Sequence, residues 1–181
     1  MNSLPLWKRC RTLANGLRLD MLELLNGNSP RCVKGIAKEL EVADNVASKN
    51  LQLLSAAGFV TQEHRGKFLF YVLAQEDVLL STVLEHTKAD KNEHAMFMAT
   101  ALTHERRVAI IKALNAKPLE IEGICRKTRI SWDAMKRQVK KLERRGFVQL
   151  EDGKYALTNP KGRLGKTLIE LALKERTPAQ V

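Results

Sequence analysis

Displaced by 88 positions, the chain matches itself. Val33, Gly35, Ile36 and Val42 recur as Ile121, Gly123, Ile124 and Ile130, and Leu51, Leu54, Gly58, Phe59 and Val60 recur as Val139, Leu142, Gly146, Phe147 and Val148. At a displacement of 89, residues 17–25 match 106–114, so one residue is lost between the blocks. Such a period is too long for a solenoid repeat and suits a small domain. The 181 residues accommodate two domains of roughly 80 residues, each near the lower limit for a self-sufficient core. Two copies of one small domain imply two copies of one binding surface.

The charge says what that surface meets. The net charge is +11, and it is unevenly spread. Residues 1–90 carry 11 Lys and Arg against 10 Asp and Glu, whereas residues 91–181 carry 20 against 10. A polyanion is the expected partner, engaged mainly by the second repeat. No apolar run reaches the roughly 20 residues of a membrane span, and the first residues lack the order of a signal peptide. Cys10, Cys32 and Cys125 are too few and too scattered for a disulfide framework. A cytoplasmic, nucleoid-associated protein is expected, with no membrane contact.

Hydrophobic spacing gives each repeat three helices and a hairpin. In the first, an apolar helix over residues 17–25 stops at Asn26-Gly27-Asn28-Ser29-Pro30, and Val33, Ile36, Ala37 and Leu40 line a second. Ala47, Leu51 and Leu54 line a third, ended by Gly58, and two strands then meet across residues 64–67. The second repeat has helices near 105–114, 121–128 and 132–145, and a hairpin turning at Asp152-Gly153, with Ser131 expected to cap its third helix. A helix over 6–13 precedes the first repeat, and apolar stripes at 78–84 and 164–173 follow the two hairpins. The expected domains are 1–88, a first winged-helix domain with flanking helices; 89–95, a junction; and 96–181, a second with a C-terminal helix. The fold class is mainly α with small β-hairpin wings: two tandem winged helix-turn-helix domains.

A helix pair followed by a hairpin is the winged helix-turn-helix, whose recognition helix enters the major groove while its wing reaches the backbone or minor groove. The segment from "LANGLRLDMLELL" through "VKGIAKELEVADNVASKNLQLLSAAGFV" to "GKFLFYVL" resembles the arsenic-repressor (ArsR-type) winged-helix family over residues 10–85, and a degenerate copy spans 97–160. The resemblance implies a transcriptional regulator, a repressor in the simplest case, that binds double-stranded DNA. Its members are usually homodimers through their terminal helices. A chain with both halves is then either a pseudo-dimer by itself or a homodimer through 78–84 and 164–173.

Carried over by position, the outward residues of the first recognition helix are Asn45, Ser48, Lys49 and Gln52. Those of the second are Asp133, Lys136, Arg137 and Lys140, with Trp132 opening the helix. Arg65 and Lys67 are the wing candidates, with Lys154 in the second copy. Arg forks onto guanine, whereas Lys acts as a point charge on phosphate.

Other signals point elsewhere and fail. The family often binds metal through Cys-Val-Cys; here Cys32-Val33-Lys34 keeps one thiol, which reads as a lone buried cysteine. His86, Asp90 and His94 would share a helical face only if one helix ran unbroken through a Lys-rich stretch. Gly165-Lys166-Thr167 lacks the glycine and the context of a phosphate loop. No metal, cofactor or catalytic set is expected, and nothing argues for an enzyme. Two rivals stay open: a tandem winged-helix scaffold in a chromosome-organising complex, which needs no strong charge, and an RNA-binding module, which would want more than 5% aromatic residues.

Overall fold

Leu6–Leu13 forms α1, and Asn15 then opens α2 (Gly16–Leu25) by accepting from Arg18 N at 3.1 Å. Arg18 fastens this corner. Its guanidinium donates to the carbonyl of Thr12 and, at 3.2 Å, to Asn50 Oδ1, and Asn50 donates to Val46 O at 2.9 Å. Leu19, Met21, Leu22 and Leu25 bury the inner side of α2.

The computed structural model describes residues 4–27, 29–87 and 92–175. The chain separates into two compact units, one built mainly on Arg11–Met96 and the other on Pro5–Cys10 with Phe97–Val181. In the first, β1 (Arg31–Cys32) leads into α3 (Val33–Glu39) and α4 (Asp44–Ala56), followed by β2 (Val60–Arg65), β3 (Phe68–Leu73), α5 (Val78–Thr87) and the start of α6 (Asn92–Ala99). The antiparallel sheet has the order β1-β3-β2, and the hairpin closes where Arg65 pairs with Phe68. The inner face of α5 (Leu79, Leu80, Val83, Leu84) is buried and packs on α2.

The second unit contains a short 3-10 turn (Thr100–Leu102), α7 (Glu105–Leu114), α8 (Ile121–Thr128), α9 (Trp132–Glu143), β4 (Val148–Glu151), β5 (Lys154–Leu157) and α10 (Arg163–Lys174). Leu119 and Tyr155 exchange backbone bonds of 3.0 and 2.8 Å, which fasten the loop before α8 to the hairpin. Leu164, Leu168 and Ala172 are buried on α10, which packs against α7.

One device ends both α4 and α9. Gly58 (φ 74°) and Gly146 (φ 69°) adopt the left-handed conformation that glycine tolerates best. The next residue donates back into the helix, Phe59 N to Leu54 O and Phe147 N to Leu142 O, each at 3.0 Å. Both phenylalanines are fully buried. Each helix is thereby turned into its hairpin with an aromatic plug in the core.

Several elements differ from the sequence reading. The first unit gains β1, which the spacing did not show because two residues carry no periodicity. Helix α6 begins inside the expected junction; residues 88–91 lie outside the described residues. The sequence reading attached the N-terminal helix to the first domain, whereas Pro5–Cys10 cluster with the second unit. One contact that joins them is that Leu6 N donates to Glu175 Oε1 at 2.6 Å, and a carboxylate suits the free N–H groups at a helix start. Ser131 occupies the N-cap of α9 but makes no side-chain cap bond.

Gly165 is a packing glycine. A Cβ there would lie 2.5 Å from Pro160 Cβ and 3.0 Å from Met98 Cε. Because the proline ring cannot yield, Gly165→Ala is expected to cost the second unit about 1–3 kcal/mol. Both tryptophans, Trp7 and Trp132, belong to this unit, so thermal unfolding followed by their fluorescence checks it.

The cysteines give a second check. All three are free; Cys10 is buried, while Cys32 and Cys125 are half-buried, which corrects the expectation for Cys32. Burial pushes the Cys10 thiol up to about 12. A thiol reagent at pH 8 should therefore leave Cys10 unmodified until the protein unfolds, as peptide mapping of the native and denatured protein would show.

Candidate nucleic-acid interface

Helix α9 is sharply two-sided. Ala134, Met135, Val139 and Leu142 are buried, while Trp132, Asp133, Lys136, Arg137 and Lys140 are exposed. The helix keeps this orientation because the apolar residues recur at helical spacing and Phe147 plugs the core behind them. Lys136, Arg137 and Lys140 bring three cations within two turns on the free side. Trp132 is 45% exposed, and the Lys136 ammonium sits 3.4 Å from its ring centroid. The indole is thus held on the surface at the start of the helix by a cation–π contact, beside the charge it covers. Asp133, in the same turn, stabilises the helix start through the dipole.

Helix α4 is arranged in the same way with less charge. Ala47, Leu51 and Leu54 are buried, and Asn45, Lys49 and Gln52 are exposed. Ser48, expected to face outward, is half-buried. Two aliphatic residues that the sequence reading did not single out share the open face, Val46 at 40% exposure and Leu53 at 44%. The signal was present: neither fits the inward spacing of 47, 51 and 54.

The wings differ from expectation in one respect. Lys67 and Lys154 are exposed at the two hairpin turns. Arg65 is exposed too, but its guanidinium pairs with Glu63 at 3.0 Å and lies 5.5 Å from the Phe70 ring centroid. Strand register explains the contact, since Arg65, Glu63, Phe68 and Phe70 belong to directly opposed pairs. The free aromatic tip is Phe68, 66% exposed and unforeseen as a site residue.

Lys141 and Arg144 are exposed towards the C-terminal end of α9, and Arg145 is half-buried. The ring centroids of His86 and His94 are 6.0 Å apart and stacked, although the two lie on separate helices, α5 and α6. Asp90, the third residue of that spacing, lies outside the described residues. Among the described residues, no three His, Cys, Asp or Glu side chains gather as metal ligands, and no helix is long and apolar enough to cross a membrane.

Part of the chain resembles known proteins. Residues 13–63 match the model of a helix-turn-helix domain, which spans α2 to most of β2. With the hairpin of β2 and β3, this part of the chain has the element order of a winged helix-turn-helix. The chain is 37% identical over 91 residues to the HTH-type transcriptional regulator Rv0324 of Mycobacterium tuberculosis, a match covering 50% of this chain and 39% of that protein. It thus spans about two-fifths of the curated relative's length. A solution structure from Mycobacterium bovis, described as the homodimeric winged helix-turn-helix DNA-binding domain of a possible ArsR-family regulator, is 32% identical with a TM-score of 0.41. That match covers 48% of this chain and 78% of that one.

Proposed function

We propose that the chain is a non-enzymatic, sequence-specific regulator of transcription that binds double-stranded DNA through two winged helices, most simply as a repressor occupying its operator. The observation that carries this reading is the split of α9, with Lys136, Arg137 and Lys140 all exposed above a fully apolar back. A solvated face would need no aromatic at its leading end; a groove-entering helix uses one against sugars or thymine methyls. The helix-turn-helix match over residues 13–63 supports the same role for α4.

The two helices divide the work. In α9 the cations grip phosphate, which supplies affinity without sequence preference. In α4, Asn45 and Gln52 suit base edges, Val46 and Leu53 suit thymine methyls, and Lys49 adds one phosphate contact. Lys67 and Lys154 reach the backbone from the wings, with Phe68 beside the first as an apolar tip for the minor groove. Arg65 contributes less, because Glu63 offsets its charge. Trp132 and Asp133 frame the entry of α9, and half-buried Ser48 contributes at its edge.

A pseudo-dimer within one chain is favoured over a homodimer through α5 and α10. The chain carries two recognition helices of its own, α4 and α9, and the inner faces of α5 and α10 are each buried within their own unit. The two half-sites are then unlike in sequence, and are expected about one helical turn, or a multiple, apart.

Binding across a salt series tests the division. Lys136→Ala and Lys140→Ala should weaken binding to every duplex and each reduce the salt slope by about one unit. Asn45→Ala and Gln52→Ala should leave the slope intact and cost roughly 1–3 kcal/mol of discrimination at particular base pairs. Equal slopes for all four variants, or no duplex binding at low salt, would refute the reading and bring the scaffold role forward.

A further inference from the structure

Two arginines of the second unit converge on one turn of backbone without an acid between them. Arg107, in the first turn of α7, is only 5% exposed. Its Nη2 donates to Thr103 Oγ1, and its Nε is closed off with no hydrogen-bond partner. Arg145, just beyond α9, donates from Nε to Thr100 Oγ1 at 2.7 Å and from Nη1 to Lys141 O at 3.1 Å. Both threonines spend their own protons on backbone carbonyls, Thr100 on Phe97 O at 2.6 Å and Thr103 on Thr100 O at 3.4 Å. They therefore meet the guanidiniums as acceptors only. The Arg145 guanidinium also lies 5.1 Å from the centroid of Phe97, a ring that is 45% exposed.

No carboxylate among the described residues pairs with either arginine. Burial and the charge of Arg145 both hold the Arg107 pKa below the usual arginine value. Burial and Arg144 do the same to Arg145. The one group acting in favour of the Arg107 charge is Cys10, whose own burial keeps it a neutral thiol. A buried cation with an idle donor and a like charge beside it is an unfinished arrangement.

We infer that Arg107, Arg145, Thr100 and Thr103 form a receptor for the oxyanion of a small organic effector, a carboxylate or a phosphate, with Phe97 as its apolar lip. The anion enters by the half-buried edge made of Thr100, Thr103 and Arg145. It replaces the hydroxyls as acceptor, because charge-assisted bonds to guanidinium are the stronger ones. The idle Nε then completes a two-toothed grip on Arg107, a geometry that a carboxylate or phosphate matches and a hydroxyl does not. One anion also relieves the repulsion between the two cations. A diffusible anion fits this place better than a nucleic-acid phosphate, because Arg107 is too deeply buried to meet a polymer backbone. The site does not depend on the DNA-binding reading, and its test needs no DNA to succeed.

The experiment is thermal unfolding of the full chain followed by tryptophan fluorescence, which reports this unit. Sodium phosphate, acetate and benzoate are each compared with sodium chloride at equal ionic strength and pH 7. At least one should raise the Tm by roughly 5 °C beyond chloride. Arg145→Gln, a half-buried and tolerant position, should lose the rise, as should Arg107→Met if it folds. Lys161→Ala, which removes an exposed charge elsewhere in the unit, should keep it. No rise with any of the three anions, or an equal rise in Arg145→Gln, overturns the proposal. If the anions do nothing while Arg145→Gln weakens duplex binding tenfold, the guanidinium serves nucleic-acid phosphate and the effector site is wrong.

Discussion

Everything the proposed interface does depends on how α4 and α9 are seated. Each helix has one apolar side of three or four residues, and each ends in a left-handed glycine followed by a fully buried phenylalanine. The phenylalanine fixes the rotation of the helix about its axis, because slipping by one residue would drag an aromatic ring out of the core. The glycine lets the chain leave at once for the hairpin. The outward side is consequently free of any structural duty, and its residues can be chosen for what they touch. This is why a small core of leucines and valines can hold two faces of such different chemistry, one amide-bearing and aliphatic, the other cationic.

Much of this was legible in the sequence, for a physical reason. The inward positions of α4 and α9 recur at helical spacing, and the glycine–phenylalanine pairs punctuate both copies, so the exposed sides follow by subtraction. The exposure of Lys136, Arg137 and Lys140 was expected in this way. Elements whose cause is tertiary were not legible. Strand β1 is two residues long and exists because β3 offers it an edge. Helix α6 lies in a stretch that reads as polar, yet Asn92 donates to Asp20 on α2 at its start. The early residues join the second unit through Glu175, which is 169 positions away from Leu6.

The same limit applies to single side chains. Arg65 looked like a free wing cation, and only the strand register reveals the pairing with Glu63 that offsets it. Val46 and Leu53 could have been recognised as aliphatic residues outside the inward spacing; Phe68 could not, since its exposure depends on where the hairpin turns. Arg107 reads as an ordinary helix-start arginine, and its burial without a counter-charge appears only when α7, the 3-10 turn and the end of α9 come together.

The central claim is that the two-sided helices read duplex DNA, and the most direct measurement is selection with the 181-residue chain on a random duplex pool, followed by hydroxyl-radical footprinting on the enriched sequence. The account predicts one enriched site with two protected segments on the same face of the helix, unlike in sequence and about one turn, or a multiple, apart. Recovery of a pool no richer in any sequence than the input, with uniform or absent protection, would contradict it.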